Sequence, residues 1–120
     1  MKILICEDDE IELRVIRMAL EEFNLDVSIA RDGNKGLQLL AENPDFDLII
    51  TDIHMPFKNG DEILTEVKKP EHKNIPVLMI SSDSDEDVIK LALRLGVNEF
   101  LAKPITPEMV KKKVKKLLKL

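Results

Sequence analysis

At 120 residues and 44% hydrophobic content the chain suits one compact domain over 1–120, able to bury about two-thirds of its unfolded surface. A formal net charge of −5 speaks against direct nucleic-acid binding, which gains its affinity from a basic face. The single cysteine, Cys6, excludes an internal disulfide, and Ile3-Leu4-Ile5 is too short an apolar run for a signal peptide or a membrane span, so the expectation is a cytoplasmic protein without a membrane partner.

Lys2-Ile3-Leu4-Ile5-Cys6 reads as a buried strand that runs directly into the acids Glu7-Asp8-Asp9. Asp9 and Glu12 have the spacing of a reciprocal helix cap, and Ile11, Val15, Met18 and Ala19 recur at helical intervals as far as Phe23. Residues 25–30 alternate as an outer strand would, with a turn at Arg31-Asp32-Gly33-Asn34. Leu37, Leu40 and Ala41 mark a short second helix, weakened by Gly36 at a cost of about 1 kcal/mol. Asp47-Leu48-Ile49-Ile50-Thr51-Asp52 is a third strand that ends on a carboxylate before a loop containing Pro56 and Gly60.

Ile63, Leu64 and Val67 line a third helix that stops before Pro70. The fourth strand, 75–80, delivers Ser81 and Ser82 to its tip. Ser84 and Asp87 resemble a cap for a helix carrying Val88, Ile89, Leu91, Ala92 and Leu95 and stopped by Gly96. The last strand, 98–102, leads to Lys103-Pro104, and Thr106-Pro107 opens a final helix with Met109, Val110, Val114, Leu117 and Leu118 as its buried stripe. Regular alternation of strand and helix specifies an α/β fold: a doubly wound, five-stranded parallel sheet with helices on both faces, most simply the flavodoxin-like order 2-1-3-4-5.

On that topology Glu7, Asp8 and Asp52 converge at the carboxyl edge of the sheet, where Ser81 and Lys103 also arrive. Three neighbouring carboxylates repel one another unless a cation neutralises them, and oxygen-only ligands favour Mg²⁺ over zinc. Mg²⁺ beside a carboxylate, a hydroxyl and a lysine is equipment for phosphoryl transfer, with Asp52 as the nucleophile that forms an acyl phosphate.

These residues resemble the receiver domain of two-component response regulators, the CheY-like fold. The resemblance rests on Ile5-Cys6-Glu7-Asp8-Asp9, Asp47 to Asp52 with Met55-Pro56 and Asn59-Gly60, Pro76 to Ser82, and Phe100-Leu101-Ala102-Lys103-Pro104. It implies Asp52 as phospho-acceptor from a histidine kinase or phosphotransfer protein, and Glu7 and Asp8 as the Mg²⁺-binding pair, completed by Asp52 and the backbone carbonyl of His54. It further implies Ser81 as the switch hydroxyl, Lys103 as the phosphoryl-binding lysine, a cis Pro104, and an aromatic at Phe100 that rotates to remodel the face of helix four, strand five and helix five. That face would control a downstream protein target or a fused output domain, or mediate a phosphorylation-dependent homodimer. The domain is expected to phosphorylate and dephosphorylate itself rather than turn over a substrate as an enzyme.

His54 and Asp83 follow Asp52 and Ser81 by two positions; they are either simply solvated or tune hydrolysis of the acyl phosphate. Cys6 reads as inert packing and His72 as a solvated loop residue. The lysines 111, 112, 113, 115, 116 and 119 form a solvated face, or an electrostatic one for an acidic partner. Four other readings differ in kind. A flavin carrier would lack aromatic stacking groups here, and a haloacid-dehalogenase-type phosphatase would want an aspartate where His54 stands. An intermediate phosphorelay carrier and a phosphorylation-independent adaptor both use this same fold.

Overall fold

The computed structural model describes residues 1–53, 60–69, 74–82 and 86–120, without the side chains of Gly60 and Asp61. The strands are β1 (Lys2–Cys6), β2 (Asp26–Ala30), β3 (Leu48–Asp52), β4 (Val77–Ser81) and β5 (Glu99–Ala102). The helices are α1 (Glu10–Leu20), extended by a 3₁₀ turn at Glu21–Phe23, then α2 (Gly33–Glu42), α3 (Gly60–Val67), α4 (Glu86–Arg94) and α5 (Pro107–Leu118). The sheet order is β2-β1-β3-β4-β5, all neighbours parallel, as the alternation of elements implies.

The apolar strands are continuous because both faces of the sheet are covered. Alternate side chains leave by opposite faces. Ile3, Ile5, Leu48, Ile50, Leu78, Ile80 and Leu101 meet Leu13, Ile16 and Leu20 of α1 and Val110, Val114 and Leu118 of α5. Leu4, Cys6, Ile49, Val77 and Met79 meet Leu40 of α2, Ile63, Leu64 and Val67 of α3, and Ala92 of α4. Each such fully buried side chain contributes on the order of 1.5–3 kcal/mol.

Two side chains pin the strand beginnings. Asp47 Oδ2 accepts the Lys2 N–H at 2.7 Å, which sets β1 against β3. Asn98 Oδ1 accepts the Val77 N–H at 2.8 Å, which sets β4 beside β5. Asp9 and Thr106 cap their helices as the sequence suggests, Thr106 on the Met109 N–H with Pro107 next in line, and Asp32, expected only as part of a turn, caps α2 by accepting the Lys35 N–H. Gly96 follows α4 with φ of +109°, a conformation that favours glycine.

The buried stripe of α1 differs from expectation. Of the expected stripe Ala19 is buried and Val15 packs against the core, but Ile11 and Met18 are 74% and 53% exposed, and Leu13, Ile16 and Leu20 take their place on the inner face. Both sets satisfy helical spacing, so periodicity alone leaves the rotation of the helix open. On α4 only Ala92 is buried and Leu91 and Leu95 are exposed; on α2 Ala41 is exposed, and Met109 of α5 likewise. Ser84, the expected cap of α4, lies outside the described residues, as does His72.

Candidate functional site

The carboxyl edge of the sheet collects five polar groups from four strands. Glu7 and Asp8 follow the last residue of β1, Asp52 and Ser81 are the last residues of β3 and β4, and Lys103 follows β5. A backbone bond from the Lys103 N–H to the Ser81 carbonyl, 2.8 Å, holds the β5 tip against β4, and the Lys103–Pro104 peptide is cis. One ligand oxygen from each of Glu7, Asp8 and Asp52 lies within 4.8 Å of the others. Glu7 is 1% exposed and Asp52 6%, while Asp8 faces solvent.

Lys103 is the counter-charge. Its Nζ donates to Asp52 Oδ2 at 2.6 Å and stands 3.5 Å from Glu7 Oε2. Burial works against the ammonium, but the hydrogen bond to Asp52 and the charges of Glu7 and Asp52 outweigh it and raise the Lys103 pKa. Glu7 has the opposite problem. Burial, followed by repulsion from Asp52, pushes its carboxyl from 4.5 up to about 7, against the lowering influence of the Asp9 N–H and Lys103.

Three acids and one ammonium leave an excess of two negative charges when all are ionised. Glu7 Oε1 accepts the Asp9 N–H at 3.1 Å, but Glu7 Oε2 is buried with no hydrogen-bond partner among the described residues. A buried, unsatisfied carboxylate oxygen between two other acids suits a hard divalent cation with oxygen ligands. The donor set therefore fits a metal ion, held by Glu7, Asp8 and Asp52.

The family model described as response regulator receiver domain matches residues 3–115. The chain belongs to the response regulator receiver family. This CheY-like receiver domain, a component of two-component signalling, is 34% identical over 119 residues to the chemotaxis protein CheY of Pseudomonas aeruginosa, covering 98% of this chain and 95% of that protein. It is 32% identical over 120 residues to a chemotaxis CheY homolog of Campylobacter jejuni, covering 98% and 92%. Among solved structures, CheY4 of Vibrio cholerae matches with a TM-score of 0.85 at 27% identity, covering 98% of each chain. The Mn²⁺-bound form of the response regulator Rcp1 matches with a TM-score of 0.86 at 28% identity, covering 98% of this chain and 94% of that one.

The receiver fold thus brings Glu7, Asp8, Asp52 and Lys103 together, with Ser81 fully buried at the neighbouring strand tip. Phe100 is half-buried, in register with Met79 of β4 and packed against the core on the α2, α3 and α4 side of the sheet. His54 and Asp83 lie outside the described residues. No helix of the described chain is long and apolar enough to cross a membrane.

Two residues near the site escape a sequence reading. Thr51 is buried, donates its hydroxyl to the Asp52 carbonyl at 2.9 Å and hydrogen-bonds the Cys6 thiol. A lone hydroxyl inside an apolar strand, next to Asp52, is the signal for it. Glu12 looks like a helix cap but does not act as one, because Glu7 takes the N–H that Glu12 would accept.

The lysines of α5 are partly committed. Glu99 accepts from Lys113 at 2.6 Å and Lys116 at 3.2 Å, and these two cations hold its carboxyl below the usual range. Lys111 pairs with Glu22 at 2.8 Å. Half of the expected cationic face is therefore turned to tying α5 against β5 and α1.

Proposed function

We propose that Asp52 is the phospho-acceptor of this receiver domain, taking its phosphoryl group from the phosphohistidine of a kinase or phosphotransfer protein. As the bond from an Asp52 oxygen to phosphorus forms, the P–N bond breaks and the imidazole leaves with the electron pair. Lys103, hydrogen-bonded to Asp52 in the resting site, is placed to offset charge on the transferred group, and Ser81 offers a hydroxyl from the next strand. Mg²⁺ held by Glu7, Asp8 and Asp52 would supply Lewis-acid neutralisation of the phosphoryl oxygens. Hydrolysis of the acyl phosphate returns Asp52, so the chain is a self-resetting switch rather than a turnover enzyme.

The observation that carries this reading is the 2.6 Å contact between Lys103 Nζ and Asp52 Oδ2 beside the unsatisfied oxygen of Glu7. Readout falls to the surface of α4, β5 and α5, which carries exposed Leu91 and Leu95 and half-buried Phe100. A phosphoryl group shifts that surface only by its differential affinity for two arrangements. Phe100 lacks a hydroxyl, so any partner must read its ring by packing.

The test is incubation with acetyl phosphate and Mg²⁺. Base-labile phosphate is expected on the wild type and not on Asp52→Asn, and neither form should label after chelation of Mg²⁺. Sizing of both forms then reports whether phosphorylation drives a homodimer. Equal labelling of Asp52→Asn rejects Asp52 as the acceptor.

A further inference from the structure

β2 is an outer strand whose free edge is backed by two adjoining cavities. Asp26 donates its N–H to the Met1 carbonyl and the Ala30 carbonyl accepts the Glu7 N–H, so both residues turn their backbone groups toward β1. Alternation along the strand then turns the N–H and C=O of Val27 and Ile29 to the open side. Their side chains are half-buried, packed against the core that α1 and α5 cover. One cavity, about 350 Å³, is lined by Ile29 with Arg17, Arg31, Asp32 and Lys35. The other, about 410 Å³, shares Arg17 and Ile29 and continues along Val27 and Leu25 to Glu21.

The two edges of the sheet differ in charge. On β5 stands Glu99, bonded to Lys113 and Lys116, and charge on an edge strand discourages pairing with another chain. Between Asp26 and Arg31, β2 carries only Val27-Ser28-Ile29-Ala30. Its charges are divided along its length instead: Arg31 and Lys35 stand at its carboxyl end with Arg17 beside Ile29, whereas Asp26 opens the strand and Glu21 lies toward Leu25. Arg31 is paired with Glu10 and Asp32 caps α2, but exposed Arg17, Glu21, Asp26 and Lys35 are in no ion pair among the described residues. A surface cationic at one end and acidic at the other complements itself after a half-turn.

We propose that the β2 edge is a homodimer interface, at which two copies of this chain join by antiparallel pairing of their β2 strands into one continuous sheet. Overlap of Asp26–Ala30 with its own copy is complete when centred on Ser28. Val27 of each chain then exchanges both backbone bonds with Ile29 of the second copy, and their side chains become cross-strand neighbours. The same half-turn lays Glu21 and Asp26 of each copy toward Arg17 and Lys35 of the other. This edge lies across the sheet from β5, so the dimer is independent of the phosphoryl reading and of the surface formed by α4, β5 and α5.

Sedimentation equilibrium over a concentration series at low salt tests this. The wild type should pass from the mass of one chain to that of two as concentration rises, and Asp52→Asn should do the same. Val27→Pro removes only a donor that faces away from β1, so that variant should stay folded by circular dichroism and monomeric. Arg17→Glu and Glu21→Arg each set like charges together at both symmetry-related contacts and should weaken the dimer about tenfold, while the double change, which exchanges the signs, should return to within about threefold of the wild type. A wild type that is monomeric at every concentration, which would leave the groove to a different partner, overturns the proposal. So does a dimer that forms only after phosphorylation, one that a folded Val27→Pro still makes, or charge reversals whose effects simply add.

Discussion

Lys103 Nζ reaches across β4 to within 2.6 Å of Asp52 Oδ2, so a residue following β5 neutralises the tip of β3. Lys103 is 17% exposed on its side chain, which makes the pair neither a surface contact nor a fully buried one. Lys103→Met takes away the ammonium that both buried carboxylates face. In metal-free buffer at pH 8 we expect a loss of about 2 kcal/mol, below the 3–5 kcal/mol of a deeply buried broken pair because solvent reaches this one. Mg²⁺ should restore most of it and bind more tightly than to the wild type, since no ammonium competes for the acids. Urea melts with and without Mg²⁺ check this, and equal melts of the two proteins in metal-free buffer would refute it.

Glu7 gives the site a pH dependence of definite sign. Its carboxyl titrates near 7 in the folded chain and near 4.5 unfolded. Below 4.5 it is neutral in both states. Between the two values the folded state holds a proton that the unfolded state has released, so stability falls as pH rises, and the loss is complete above 7 at roughly 3 kcal/mol. Mg²⁺ must displace that proton to bind, so its stabilising effect should be larger at pH 8 than at pH 5.5. Glu7→Gln should be more stable than the wild type at pH 8 without metal and should gain little from Mg²⁺. Thermal melts over pH 5 to 8 decide it; a wild type whose stability rises over that range through this group is the contrary result.

What the sequence discloses here follows from what each residue type can do at its position. Strands ending in Glu7, Asp52, Ser81 and Lys103 declare the site, because an apolar run that stops on a polar side chain can only present it at a sheet edge. The rotation of α1 is not so declared: Ile11 and Met18 obey helical spacing as Leu13, Ile16 and Leu20 do, and only packing against β1 and α5 separates them. Glu12 misleads for a related reason. A cap spacing says which partner an acid is able to bond, and Glu7, invisible to that local pattern, reaches the N–H first.

Gly36 shows a local rule overridden by packing. A glycine within α2 costs about 1 kcal/mol relative to alanine. A Cβ there would stand 2.8 Å from Ile63 Cδ1 and 3.0 Å from Cys6 Sγ, both belonging to fully buried side chains. Crowding two interlocked core groups costs about 1–3 kcal/mol, which exceeds the gain in helix propensity. Gly36→Ala should therefore be destabilised by about 1 kcal/mol, and Gly36→Ala combined with Ile63→Val, which removes the nearer methyl, should lose less than the two single changes added together. Strict additivity in urea melts would mean that the crowding is not what holds glycine in place.

Cys6 lies one residue from the acid cluster, yet everything around it suppresses thiol chemistry. Burial pushes its pKa from 9.0 up to about 12; the negative charge of Glu7 adds to this, and the Thr51 hydrogen bond recovers only part. At pH 8 the thiolate fraction falls by about a thousandfold relative to an ordinary cysteine, before access is considered. A thiol-disulfide reagent should leave the folded chain unmodified and react only as the protein opens, at a rate that climbs with denaturant. Because the Cys6 side chain packs with Leu40, Ile63 and their neighbours rather than joining the acids, Cys6→Ala should cost stability yet still accept phosphate from acetyl phosphate at close to the wild-type rate. Rapid modification in native buffer, or a collapse of labelling in Cys6→Ala while the chain remains folded, would place the thiol in the chemistry instead of the core.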